Sequence, residues 1–459
     1  MPRNRREKME KNSNNISGRL ERLPACSVQW KQWLCHEICW ILGSVGLGTT
    51  TFCLTNIASE YGFDATTKGL VATVVYIGMF LGATISGLLA DKIGRKKMLI
   101  TAICLWSATS LLIALTNSVT LFWPLRLVLG FGMGAHYPCT QSMLAELFPA
   151  KTRGRCICLL EGGYPLACIL AGIYGWGLQM YFPWRSVFLV QGIGGLCVFI
   201  VIFLIPESAR WHEMKGNMAE ANRIVGVYEQ RVKECTGKEL APIPDPITEV
   251  ADNTGKSKFA QLFESREQAQ KTLTMWILWF CVLFGHYGLN TWISDLLVGK
   301  GFDVVKSNGF VILMYLPAIP GYLIATYLVE IVGRKKMIFS YLILAAVFSY
   351  MYGDASSMAQ IIIFGGLLQM FSFGIWSLIY TYASEVFPTR IRGIGTGTTS
   401  SAGRMASLIA PTLFGAMMQA EMPQIYIFVL ASVVFVIGAV STLVFGTETK
   451  GRSVEDINR

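Results

Sequence analysis

Two arginines stand where an arginine is costly. Arg126 lies in the apolar run 120–147 and Arg404 lies deep in the run 394–419. A guanidinium taken out of water needs an acid, a cavity or a bound anion. Its planar fork of N–H donors fits a carboxylate in bidentate fashion, so the chemistry on offer is anion recognition. Arg126 has two readings, an interfacial residue that snorkels to the headgroups or a group facing a central cavity. Arg404 is too deep to snorkel and reads as a ligand for a substrate carboxylate or as half of an internal salt bridge. Asn290 and Trp292 in GLNTWISDLL (288–297), with Gln369, Trp376 and Tyr380 at roughly helical spacing, are further candidate substrate contacts. Their alternative is ordinary packing. Asp295, Glu161 and His136 are titratable groups within apolar runs, hence candidate proton carriers, with pairing or core packing as the plainer roles. His36 and Glu37 open the first run and read as structural. No nucleophile stands beside a base and no His or Cys spacing suits a metal. The glycine-rich GIGTGTTSSAGR (393–404) lacks the lysine and preceding strand of a phosphate loop. The expectation is a protein that is not an enzyme, with no catalytic residue, cofactor or metal.

Holding such groups falls to long apolar helices. The chain is 53% hydrophobic and 15% charged, against about 25% charged in a globular protein. Twelve runs approach the roughly 20 residues that a helix needs to cross hydrocarbon: 33–57, 69–90, 98–116, 120–147, 155–179, 184–205, 272–298, 308–329, 337–353, 358–384, 394–419 and 424–446. Backbone groups in lipid must be satisfied within the segment, and barrel strands would be about half this length. The sequence therefore predicts an all-α polytopic membrane protein. The first 30 residues are polar and basic, with no secretory signal. The 12 cysteines lie mostly in or beside the runs and read as small apolar residues.

A repeat organises the chain. GLLADKIGRKKM (87–98) and TYLVEIVGRKKM (326–337) are 239 positions apart, and the same offset carries ELFPAKTRG (146–154) onto EVFPTRIRG (385–393). Tyr76 and Gly82 land on Tyr315 and Gly321. Two parallel six-helix halves follow: a basic N-terminal segment 1–32, a first half 33–206, a polar linker 207–271, a second half 272–446 and a tail 447–459. Within the linker, 213–236 suits an amphipathic helix. If both termini share one side, that side holds 33 of the 39 Lys and Arg, so it is cytoplasmic by the positive-inside rule. The net charge of +10 is then a topology signal and not a nucleic-acid footprint.

These features resemble the major facilitator superfamily over nearly the whole spanned length. Gly87-x-x-x-Asp91-x-x-Gly94-Arg95-Lys96-Lys97 is similar to that family's loop between helices 2 and 3, and Arg126-x-x-x-Gly130-x-Gly132 to its fourth-helix pattern. PESARW (206–211), EVFPTRIRG and ETKG (448–451) resemble the sugar-porter and organic-ion branches, and GRMASLIAP (403–411) the organic-anion, nicotinate and synaptic-vesicle-protein branch. The resemblance implies a secondary transporter working by alternating access. It implies that Asp91 faces helix 11 and Glu330 faces helix 5, with Arg95 and Glu146, or Arg334 and Glu385, as partners. Arg153 and Arg392 belong to the same repeated gating motif. Such contacts would latch the cytoplasmic faces while the protein is open outward. Relatives in the nicotinate branch usually carry an aspartate within helix 1, where this chain has GLGTTTFCLTN (46–56) and no acid. The expected activity is proton-coupled symport of a small organic anion such as an aromatic or pyridine carboxylate, with protons and the lipid bilayer as further partners. The alternatives are a sugar or polyol porter, or a membrane sensor that does not transport. Compact loops point to a bacterial inner membrane with both termini cytoplasmic.

Overall fold

The computed structural model describes residues 15–243, 257, 259–299, 301, 304–388 and 391–450. The first half builds α1 (Ile16–Glu21), α2 (Ser27–Tyr61), α3 (Ala65–Ile93), α4 (Arg95–Leu115), α5 (Val119–Leu147), α6 (Ala150–Glu161), α7 (Gly163–Gln179), α8 (Arg185–Gly194) and α9 (Val198–Leu204). Two linker helices follow, α10 (Ala209–Met214) and α11 (Met218–Thr236). The second half builds α12 (Arg266–Gly299), α13 (Val304–Tyr315), α14 (Ala318–Val332), α15 (Arg334–Asp354), α16 (Met358–Val386), α17 (Arg392–Gln419) and α18 (Ile425–Phe445). The described residues contain no strand. Ten stretches are long and apolar enough to cross a membrane, including the composites Thr152–Gln179, Arg185–Leu204 and Ser307–Val332. The other two predicted spans, α5 and α17, have the length at 29 and 28 residues. They mix glycines, hydroxyl side chains and the two deep arginines into their apolar sequence.

The repeat reappears in three dimensions. Adding 239 to the limits of α4 (95–115) gives those of α15 (334–354), and adding it to α5 (119–147) gives α16 (358–386). The contacts repeat as well. A Cβ on Gly82 would lie 2.1 Å from the Phe131 carbonyl oxygen, and a Cβ on Gly321 would lie 2.2 Å from the Met370 carbonyl oxygen, again 239 residues on. Gly130 and Gly134 return the contact to α3, each with a carbonyl oxygen (Val75 and Met79) at 2.1 Å from such a Cβ. α3 and α5 therefore touch backbone to backbone, as small residues permit between helices in a membrane. Gly134→Leu is expected to force them apart. Because the obstructing atoms are main chain and cannot rotate away, the cost is about 3 kcal/mol or more. A fall in melting temperature and in monodisperse yield in detergent would register it, and an unchanged melt would refute the contact.

Packing of the short helices explains their place. α11 buries Ala221, Ile224, Val225, Tyr228 and Val232, a 3–4 spacing that puts one apolar stripe on one face. That stripe joins Ile16, Leu20 and Leu23 of the N-terminal segment with Trp40, Leu144 and Phe148 in a single buried cluster. Ion pairs close its rim: Arg19 and Arg22 reach Glu229 at 2.7 and 2.6 Å, and Arg153 reaches Glu21 at 3.1 Å. Partial burial would raise the Glu229 carboxyl, but the two arginine bonds outweigh it and hold the group below its ordinary range. All these partners belong to the first half or to its side of the linker, so α1 and α11 form a collar on that half.

Candidate solute site and gates

Midway along the bundle, α12 presents His286 and Asn290 one turn apart, and α16 presents Gln369, Ser372, Phe373, Trp376 and Tyr380 as a stripe. The polar members bind one another. Asn290 Oδ1 accepts from Tyr315 Oη at 3.0 Å and from Gln369 Nε2 at 2.9 Å. Asn290 Nδ2 donates to the His286 carbonyl at 2.8 Å, and His286 Nδ1 shares a hydrogen with Ser372 Oγ at 2.8 Å. Three polar atoms of this group are buried without a partner: His286 Nε2, Gln369 Oε1 and Trp376 Nε1. Buried polar atoms are nearly always paired, so their open valences ask for a ligand or water. Aromatic rings enclose them. The His286 ring lies 4.7 Å from Phe373 and 5.3 Å from Trp376, and Tyr164 of the first half stands 6.0 Å away. Tyr76 of α3 meets Tyr287 of α12 at 4.9 Å, so the group is built from both halves. Trp376 stacks on Tyr380 at 6.1 Å with 27° between planes.

The two arginines differ sharply. Arg404 is half-buried, and among the described residues its guanidinium makes no hydrogen bond or ion pair. It lies within electrostatic reach of Glu161 and Tyr137 from the first half, and of Tyr287 and Tyr380 from the second. Arg126 is fully buried, which removes the interfacial reading. Its Nη2 donates to Thr50 Oγ1 at 2.8 Å and to the Val71 carbonyl at 3.4 Å, while Nε and Nη1 have no partner. The Phe122 and Phe188 rings flank it at 5.8 and 5.7 Å, the arrangement of a cation over π-faces. Thr50, a hydroxyl from the acid-free stretch of the first span, is thus the side-chain acceptor that Arg126 reaches.

Other predicted residues fall outside this group. Trp292 is fully buried and gives its indole N–H to the Pro411 carbonyl at 2.9 Å. Asp295 pairs with Lys68 of the other half and accepts from Thr55 Oγ1 at 2.8 Å. Both belong to a seal between the halves at the end opposite the GRKK loops. A Cβ on Gly69 would lie 2.6 Å from the Pro411 carbonyl oxygen, and one on Gly415 would lie 2.5 Å from that of Ala65. Gln419 Nε2 donates to Asp64 Oδ2 at 3.1 Å, and Thr66 bonds to Gln419 as well. His136 stacks on Tyr137 at 5.9 Å, and neither of its ring nitrogens has a partner. Glu161 is buried and accepts from Gln141 Nε2 at 2.5 Å.

At the GRKK end each loop is tied to its own half, twice over by one design. Gly94 and Gly333 have φ of +110° and +106°, a conformation open to glycine, and each stands immediately before a helix. Glu207, just after α9, accepts from the Lys96 amide at 2.9 Å; Glu448, just after α18, accepts from the Arg334 and Lys335 amides at 3.0 and 3.2 Å. Each glutamate satisfies orphan N–H groups at the positive end of a helix. Arg95 pairs with Glu146, which also accepts from Ser208. In the second half, Arg334 holds Glu385 at 2.8 Å and Glu330 at 2.9 Å, and Thr449 Oγ1 donates to Glu385 at 2.5 Å. Arg392 is the first residue of α17. Among the described residues no hydrogen bond or ion pair joins the Asp91 carboxylate to α17 or Glu330 to α6, so the inter-half latch is not made in this structure. The Asp91 carbonyl instead accepts from Trp211 Nε1 at 3.1 Å.

Sequence reasoning passed over His286, Tyr164, Tyr287 and Lys68, and over the capping role of Glu207 and Glu448. A signal existed for some of them. His286 precedes Asn290 by one helical turn, and the two glutamates each follow the last span of a half.

Comparison with known proteins gives three results. A family model described as sugar (and other) transporter matches residues 41–459. The chain is 31% identical to the niacin transporter NiaP of Acinetobacter baylyi, over 96% of this chain and 99% of that protein. It is 24% identical to the synaptic vesicle 2-related protein of Xenopus laevis, over 93% of this chain and 80% of that one. Among solved structures, the inward-open xylose transporter XylE from E. coli superposes with a TM-score of 0.72 at 16% identity, covering 94% of this chain and 99% of that chain. The last likeness is one of fold, two six-helix halves of the major facilitator type.

Proposed function

This chain belongs to the sugar (and other) transporter family, and from that premise we propose that it moves a small aromatic or pyridine carboxylate across a bacterial plasma membrane with a proton. The observation that carries the anion reading is Arg404: a half-buried guanidinium that makes no hydrogen bond or ion pair among the described residues, midway along its helix and within electrostatic reach of Tyr137 of the first half and of Tyr287 and Tyr380 of the second. A carboxylate fits the fork, and Tyr164, Phe373 and Trp376 supply aromatic faces for a flat ring once they part. A ring nitrogen suits His286 Nε2 in its N–H form, and a donor substituent suits Gln369 Oε1. The similarity to a niacin transporter supports the same solute class. The halves rock about this group, with the seal at Lys68, Asp295, Gly69 and Gly415 closing the outer face. The caps and ion pairs of the GRKK loops brace each half at the cytoplasmic face, where both termini lie.

A sugar or polyol reading has its own support in the Asn290, Gln369 and Tyr315 hydrogen-bond cluster, whose donors and acceptors suit hydroxyls. Counterflow in proteoliposomes decides. Exchange of labelled nicotinate but not labelled xylose is expected. Xylose exchange without nicotinate exchange selects the second reading, and binding of either without exchange indicates a sensor.

A further inference from the structure

Glu37 on α2 is buried, at 7% exposure, and its Oε2 has no hydrogen-bond partner. Its Oε1 presses on Gly163, where any Cβ would lie 2.2 Å away. Two residues before that glycine stands Glu161, also at 7% exposure, whose carboxylate accepts from Gln141 Nε2 at 2.5 Å. The two acids are within electrostatic reach of each other. Within electrostatic reach of one or both are Tyr137 of α5, Cys156 and Cys158 of α6, Tyr287 of α12, Tyr322 of α14, Tyr380 of α16 and the guanidinium of Arg404 on α17. His36, beside Glu37 in sequence, turns its Nδ1 to the Gln32 carbonyl at 2.8 Å.

Neither carboxylate has an ion pair among the described residues, and two buried negative charges within electrostatic reach of one another each disfavour the other's ionised form. A proton is the simplest ligand that relieves them. Arg404 works against it at Glu161, since a nearby cation favours the ionised carboxylate. Glu37 and Glu161 ride on the first half and Arg404 on the second, so rocking alters their separation. A carboxylate bound to Arg404 cancels its charge and lets the acids take up a proton.

We propose that Glu37 and Glu161 form the proton site of this transporter, sharing one proton whose binding is linked through Arg404 to binding of the carboxylate solute. The solute and the proton then load together, and linkage is reciprocal: the proton tightens the solute by the factor by which the solute tightens the proton. The linkage to solute rests on the anion reading above, whereas the shared proton itself does not.

The test uses the full chain in nanodiscs. Infrared difference spectra between acidic and alkaline buffer, with no solute, should contain a protonated-carboxyl band that both Glu37→Gln and Glu161→Gln remove. A band kept in both variants overturns the proton site, and a band lost in only one assigns the proton to that residue and overturns the sharing. With nicotinate as the probe, wild-type affinity should weaken about tenfold per pH unit on the alkaline side, as one linked proton requires, and both variants should be flat. Accumulation driven by a pH gradient should fall at least tenfold in the variants while counterflow continues. Variants that keep the pH slope and the accumulation overturn the coupling. A wild type that carries the band but ignores nicotinate refutes the anion reading and leaves the proton site standing. If one variant fails to run as a monodisperse peak, the other carries the spectroscopic result.

Discussion

Arg404→Ala is expected to abolish carboxylate uptake while leaving the bundle folded. Truncating one partner of a desolvated charge pair costs about 2–5 kcal/mol, so affinity for nicotinate should drop at least about 30-fold. The fold should hardly notice, because the guanidinium makes no hydrogen bond or ion pair within the described protein. Its loss strands no hydrogen-bond acceptor, and Glu161 can answer the lost charge by taking a proton, so the effect on stability should stay within about 1 kcal/mol. Arg404→Lys is the sharper control: it keeps the charge but loses the planar fork, so binding should recover in part and specificity for carboxylates should loosen. Binding is read by calorimetry or thermal shift, and transport by counterflow. Full nicotinate exchange in Arg404→Ala would remove the anion site from α17.

Gly415→Val should stall the cycle with the outer end pried open. A Cβ at 415 meets the Ala65 carbonyl oxygen at 2.5 Å and the Trp292 ring at 2.8 Å. Ala65 begins α3 of the other half, so valine can be housed only by separating the halves there. Overpacking of this kind costs about 1–3 kcal/mol, which moves a two-state balance about 5- to 150-fold. Each half keeps its own core, so the protein should still purify as a monodisperse species. Net uptake should fall at least about tenfold. The state can be read directly: Thr66 and Gln419 are hydrogen-bonded across the seal, and cysteines at these two positions should cross-link readily in the parent and poorly when combined with Gly415→Val. Equal cross-linking in both backgrounds would show that Gly415 does not set the closure.

Much of this architecture could be read from the chain. The GRKK and EVFP motifs give the offset of 239, and that one number predicts the limits of α15 and α16 from those of α4 and α5. All twelve predicted runs, the two that hold the costly arginines included, are helical. What the sequence leaves open is facing. α12 is apolar around much of its circumference, so periodicity cannot say which residues look inward. Trp292 and His286 sit on the same helix, yet Trp292 plugs against α17 and His286 joins the aromatic group. Asp295 illustrates a second limit. Its partner Lys68 is 227 residues away and on the other half, a contact that no local pattern encodes. Glu207 shows a third. It lies just past the predicted end of the first half at 206, in a stretch that reads as linker, yet it caps α4.

That last placement bears on how the gene can be divided. Each six-helix unit keeps the clasp for its own third span on the chain trailing behind its sixth, Glu207 in one and Glu448 in the other. Two cistrons parted behind Gly237 would each encode a unit with its clasp intact, and in the first the collar helix α11 as well. A break immediately behind Leu204 would yield a fragment whose α4 begins uncapped, however complete its six membrane crossings.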